Sequence, residues 1–349
     1  FYFFPMLALV ELPFGALLKN SVSLVFANIR KSIPALMLFL LFALFFTACG
    51  TEKNKTEGTN RLTVVTSFYP VYLLAQEVVQ GAEGIRLENM AQPQTGCLHD
   101  YELSISDMKL LETADIFIIN GGGMESFLEQ ALERYPELTV VDTSEGIALL
   151  EEEVHHHHDD EEEAEAHEHE QEHEHEHEGN SHIWLSPARA AQQAESIAAA
   201  LSEMDQADAA VFAENAARFK EETDALLQEA AQLNLPEGTE AEVFHEGFAY
   251  FAELFGMEIA SGIFVDEYQV PSAKELTEAA DEAREHNIRF FLTAADDGRI
   301  YAETLAQETG ETITLLDPLT TAAEGNPSYI ERMRRNIQAV AQHWKEAAA

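Results

Sequence analysis

The sequence predicts an α/β protein of two lobes, each with a mostly parallel sheet flanked by helices, joined by one long rigid helix. Three observations lead there. From residue 61 onward, short runs rich in β-branched and aromatic residues alternate with stretches of helical period, the pattern of strand–helix units that wind a parallel sheet. The alternation is interrupted near 207 and begins again near 240. Between the two series, residues 207–233 contain neither Pro nor Gly, so they read as one uninterrupted helix. A chain of 349 residues with 46% hydrophobic content is large enough for two such cores.

The elements follow in order. "LTVVTSF" reads as a strand and "VYLLAQEVVQ" as the helix after it. "SISDMKLLETA" is a short helix with Ser104 or Ser106 as its cap. "IFIIN" is a buried strand, "GGG" at 121–123 a turn, "MESFLEQALERY" a helix and "LTVVD" a closing strand. Two Ala-rich helices follow "HIWLSP", the second being the 207–233 strut. The second lobe reads as strand "AEVFHE", helix "GFAYFAELFG", helix "PSAKELTEAADEAREH", strand "IRFFLTA", helix "GRIYAETLAQETG", strand "ITLLDPL" and a terminal helix "PSYIERMRRNIQAVAQHW". The expected domains are an N-terminal lobe at 61–206, the linking helix at 207–233 and a C-terminal lobe at 234–349.

Residues 1–48 are excluded from the fold. "NIRKSIPALMLFLLFALFFTACG" places basic Arg30 and Lys31 before an apolar run and small residues before Cys49, the order of a secretory signal. Its Phe-Thr-Ala-Cys end resembles a bacterial lipobox, which implies lipidation of Cys49, a tether over 49–60 and an extracytoplasmic location at the cell membrane. Cys97 is then the remaining cysteine, so no internal disulfide is expected. It reads as a small buried hydrophobe or a soft neighbour of a metal site.

A formal net charge of −43 argues against a nucleic-acid partner, whose phosphates demand excess basic charge, and favours a cationic ligand. The most acidic stretch, 151–178, holds 15 Asp and Glu with nine histidines: His155, His156, His157, His158, His167, His169, His173, His175 and His177. With almost no apolar residue it cannot build a core, so it reads as a solvating spacer or as several weak, exchangeable metal sites. Of the other histidines, His286 and His343 read as surface or helix-end residues. His99, His182 and His245 fall instead at loop or strand-to-helix junctions, and Asp317 in "LLDPL" sits at the same kind of strand end, where open α/β sheets bind ligands. Three imidazoles and a carboxylate suit zinc, with manganese as the mixed-donor alternative. The four positions are 83, 63 and 72 residues apart, so no short spacing supports the set; each histidine reads equally as a hydrogen-bonded loop residue and Asp317 as a turn former before Pro318.

The blocks themselves resemble one family. "VVTSFYPVYLLAQEVVQG", "HDYELSISDMKLLETADIFIINGGGMESFLE", "HIWLSP", "FHEGFAYFAELFGME", "PSAKEL", "ETGETITLLDPL" and "YIERMRRNIQAV" occur in the order found in the metal-binding lipoproteins of bacterial zinc/manganese ABC importers, the cluster A-I solute-binding proteins. The resemblance spans nearly all of 61–346. It implies metal ligands His99, His182, His245 and Asp317, a His-rich loop of the zinc type, a membrane permease of an ABC transporter as partner, a monomer, and no catalysis. Leu98 replaces the family's usual proline before the first histidine, and Ser186 its usual aspartate in the "HIWLSP" block. Glu246 follows His245 directly; neighbours on a strand face opposite ways, so it is not counted among the ligands. A manganese-binding protein or adhesin of the same family and, further off, a zinc hydrolase are the alternatives.

Overall fold

The computed structural model describes residues 61–92, 98, 101–151, 179–262, 272–295 and 298–347. The signal segment, Cys49, the tether, Cys97, His99 and the nine loop histidines lie outside the described residues.

In the first lobe, strand β1 (Leu62–Thr66) buries Val64 and Val65 completely and leads into helix α1 (Tyr69–Val79). Pro70 sits in the first turn of α1, where an N–H has no intrahelical acceptor anyway. Strand β2 (Ile85–Asn89) follows; helix α2 (Ile105–Thr113) then starts on a reciprocal cap in which Ser104 and Asp107 each bond the other's backbone N–H. Strand β3 (Ile116–Ile119) ends in the three glycines, all left-handed at φ +80°, +61° and +86°. The expected helix over "MESFLEQALERY" is instead a 3-10 turn (Ser126–Leu128) and a single turn, α3 (Glu129–Leu132). Pro136 has no N–H to continue the helix, and the chain leaves in successive tight turns at Tyr135 and Leu138. Strand β4 (Thr139–Asp142) completes the sheet.

Helices α4 (Pro187–Met204) and α5 (Ala209–Ala231) come next. The second lobe then runs β5 (Glu240–Val243), α6 (Phe248–Leu254), β6 (Glu258–Gly262), α7 (Ala273–Glu285), β7 (Phe290–Thr293), α8 (Arg299–Thr309), β8 (Ile313–Leu315) and α9 (Tyr329–Ala347).

Both sheets are wholly parallel, in the orders β2-β1-β3-β4 and β6-β5-β7-β8. The two lobes therefore repeat one winding, with the order reversing beside β1 and beside β5. Such switch points open a crevice beyond the carboxyl ends of the strands.

Helix α5 buries Phe212, Asn215, Ala216, Phe219, Thr223, Leu226 and Ala230, a stripe three or four residues apart. Its N-terminal half holds the first lobe, where Asn215 Nδ2 donates to the carbonyls of Val78 and Gln80 at 2.8 and 2.7 Å. Farther along, Phe219 meets Tyr329 edge-on at 5.3 Å and Glu229 pairs with Arg334 of α9. One set of buried side chains runs from Val64 and Ile118 through Trp184 and Phe219 to Val243, Phe290 and Val340, so the lobes share a core. His343, read from the sequence as a surface residue, is buried: Nδ1 lies 2.7 Å from Thr314 Oγ1 and the ring 4.9 Å from that of Phe290. His286 is at the exposed end of α7, bonded to Glu240. No helix among the described residues is long and apolar enough to cross a membrane.

Candidate metal centre

His245 lies two residues beyond β5, at the switch point of the second sheet. His182 precedes a 3-10 turn (Ile183–Leu185) that packs against α6. The structure brings these two rings together, edge to face with centroids 4.9 Å apart. His182 is fully buried and has Trp184 on another side, also at 4.9 Å.

The turn carrying His182 is fastened from both lobes. From the first, Asn120 at the end of β3 donates Nδ2–H to the Ser181 carbonyl at 2.8 Å. Asn120 is itself set by Gln193 and by Glu125, a carboxylate that accepts from Ser67 Oγ (2.6 Å) and from the N–H groups of Asn120 and Gly121. Burial pushes the Glu125 carboxyl up to about 7, against the pull of these three donors. From the second lobe, the Tyr250 hydroxyl donates to the Asn180 carbonyl at 2.5 Å and accepts from Leu150 N–H at 2.9 Å. Arg189 covers the Tyr250 ring at 4.6 Å and pairs with Glu253. Leu150 and Asn180 form an antiparallel bridge, so the residues that flank the His/acid-rich segment meet two residues from His182.

Glu246 is where the sequence reading needs correcting. Strand β5 ends at Val243, so the alternation of a strand does not extend to residues 245 and 246. The Glu246 carboxylate lies 3.1 Å from His182 Nδ1. The adjacent Gly247 donates its N–H to His245 Nδ1 at 3.1 Å.

Asp317 is engaged elsewhere. Its two oxygens accept from Arg332 Nε and Nη2 at 2.7 and 2.6 Å, and Oδ1 also accepts from Leu319 N–H in the turn that the Asp-Pro pair makes. Arg332 is 2% exposed, so this carboxylate balances a buried cation. Contact with the histidine pair is indirect: the Pro318 carbonyl accepts from Trp184 Nε1 at 2.9 Å. Among the described residues, no three His, Cys, Asp or Glu side chains gather as a metal would require. What they contribute is the His182–His245 pair with one carboxylate against it. Leu98, beside His99, is fully buried.

A model of the family described as "Zinc-uptake complex component A periplasmic" matches residues 64–343. The zinc-binding lipoprotein AdcA of Streptococcus pneumoniae serotype 4 is 29% identical over 88% of this chain and 60% of its own length, so the chain spans less than two thirds of that relative. The high-affinity zinc uptake system protein ZnuA of Bacillus subtilis is 28% identical over 87% of this chain and 95% of its own. Among solved structures, the laminin-binding protein Lmb of Streptococcus agalactiae, described as bifunctional with adhesin and metal-transporting activity, is 25% identical and superposes with a TM-score of 0.65, covering 81% of this chain and 99% of that one.

Proposed function

Because the chain belongs to the family of periplasmic A components of zinc-uptake complexes, we propose that it captures Zn²⁺ outside the cytoplasm and delivers it to the membrane permease of an ABC transporter. Zinc is cargo in this reading, and no catalytic step is involved. The observation that carries it is the edge-to-face pair of His182 and His245, one ring held by the turn between the lobes and the other at a sheet switch point. His99 is the proposed third ligand. Asp317 joins as the fourth by exchanging one oxygen from Arg332 to the metal. Lipidation at Cys49 keeps the protein at the membrane surface, where it works as a monomer. The nine histidines of 151–178 collect metal in weak exchangeable sites whose ends are tied beside the site.

Calorimetry on protein lacking the His/acid-rich segment tests the assignment. His245→Ala is expected to weaken zinc binding by two orders of magnitude or more, whereas Asp317→Asn weakens it far less but lowers stability by about 1–3 kcal/mol, because Arg332 loses a charged partner. Unchanged tight binding in His245→Ala overturns the site. Elemental analysis of protein purified without added metal separates zinc from manganese. The likeness to a bifunctional adhesin supports a second reading, binding of a matrix protein such as laminin, which a pull-down with laminin tests.

A further inference from the structure

Asn180 has all four of its polar groups engaged, each with a different part of the protein. Its N–H donates to the Leu150 carbonyl (2.8 Å), its carbonyl accepts from Tyr250, its Nδ2–H donates to the Glu246 carbonyl (2.9 Å), and its Oδ1 faces both the backbone N–H (3.0 Å) and Nδ1 (3.1 Å) of His182. We infer that Asn180 is a positioning residue for metal capture: it fixes His182 in the tautomer with the proton on Nδ1 and the lone pair on Nε2, and through Tyr250 it ties that ring to the second lobe. The inference rests on the zinc-binding reading above.

The amide can be oriented one way only. A flip would set its NH₂ against the His182 backbone N–H, donor to donor, and its oxygen against the Glu246 carbonyl, acceptor to acceptor. Oδ1 therefore faces Nδ1, and the second group at that nitrogen, Glu246 Oε1 at 3.1 Å, is also an acceptor. Between two acceptors Nδ1 carries the proton, leaving the lone pair on Nε2. A proton-accepting partner at the far nitrogen is also what makes an imidazole a well-aimed, more basic ligand. His245 is set the other way. Its Nδ1 accepts from Gly247 N–H, so the neutral ring carries its proton on Nε2. His182 thus carries its lone pair on Nε2; for His245 to do so, its proton must move from Nε2 to Nδ1, which requires Gly247 N–H to leave that nitrogen.

The test is a long-range ¹H–¹⁵N correlation spectrum of the metal-free full chain labelled at histidine, with His182 assigned from the His182→Gln spectrum. The expected result is an Nδ1–H pattern for His182. In Asn180→Ala zinc affinity by calorimetry falls about 10–100-fold; the Nδ1–H pattern is lost when both acceptors go, in Asn180→Ala/Glu246→Ala, and Asn180→Asp in the Glu246→Ala background, which keeps an acceptor at the Oδ1 position, restores it. An Nε2–H pattern in the wild type overturns the inference, as does Asn180→Ala that binds zinc as tightly as the wild type. Should Asn180→Ala fail to fold, the wild-type spectrum decides the tautomer. Tyr250→Phe, which keeps the ring beneath Arg189, then decides the tie between lobes: weakened zinc binding supports it and unchanged binding overturns it. A wild type that binds no zinc while showing the Nδ1–H pattern sinks the functional reading and leaves the orientation of His182 standing.

Discussion

Gly247 has no room for a side chain. A Cβ there would lie 2.9 Å from Cβ and Cδ2 of His182 and 2.8 Å from Leu185 Cδ1. Its backbone is ordinary, with φ −61°, so the constraint is space alone. The leucine methyl can move, but His182 is held by Asn180 and Glu246 and cannot yield without losing its aim. Gly247→Ala is expected to cost about 1–3 kcal/mol of stability and to lower zinc affinity on the order of tenfold, about 1.4 kcal/mol; calorimetry with circular dichroism checks both, and full affinity in a folded variant refutes the packing argument. Two buried groups set opposing pH dependences. Burial pushes His343 below its ordinary 6.5, so the unfolded chain takes up that proton first: the stabilising contribution is complete above 6.5 and is lost as pH falls toward the folded value. Glu125 is raised from 4.5 to about 7, so its contribution is complete below 4.5 and is lost as pH rises through about 7. Denaturation midpoints of metal-free protein against pH should therefore lose their decline between 4.5 and 7 in Glu125→Gln relative to wild type, whatever the variant's overall stability. An unchanged slope counts against the burial of an ionisable Glu125.

Elements differ in how plainly the sequence announces them. The bridge between Leu150 and Asn180 already brings together the ends of the His/acid-rich segment, so the strand-end and the His182 turn do not depend on what lies between. Replacing 152–178 with a short glycine linker is expected to give a folded protein with one tight zinc site and a lower total stoichiometry, read by calorimetry; loss of the tight site defeats the division between collector and cleft. The central strands β1, β3 and β7 were legible because they are apolar runs, and β5 ("EAEV") through the apolar Val243-Phe244 that closes it. Of the four edge strands, β4 ("TVVD") and β8 ("ITL") were read, but β2 ("IRLEN") and β6 ("EIASG") were not, since their charged and small residues break the apolar pattern. His182 and His245 were found through the blocks around them, and Asn180 could have been, two residues ahead in "NSHIWLSP". Glu246 was weighed and set aside on a strand alternation that stops at Val243, and the burial of His343 was missed because a lone histidine beside Trp344 carries no sign of its Thr314 partner in the core. The Asp317–Arg332 pair joins a strand end to a helix 15 residues later, a distance at which sequence alone ranks no partner above another.

The two described lobes are built to move little against each other. In a two-lobe binding protein with flexible crossovers, a ligand draws separate bodies together. Here Trp184 belongs to both lobes: its ring packs on Phe68 at 5.2 Å, its indole N–H bonds the Pro318 carbonyl, and its own carbonyl accepts from Tyr329. Opening a wide cleft would break these contacts, expose Phe219 and Tyr329, and strip the hydrogen bonds of Asn215 from α1. Each fully buried aromatic side chain contributes about 1.5–3 kcal/mol relative to exposure, so a wide hinge costs more than the few kcal/mol that separate the states of a working switch. On the proposed function, zinc capture then proceeds by local rearrangement at His182 and His245. Small-angle scattering of protein without the His/acid-rich segment should accordingly give the same radius of gyration with and without zinc, while the imidazole resonances of the site shift. A clear contraction on zinc binding would show that the shared core parts on release, and that Trp184 is a hinge rather than a bolt.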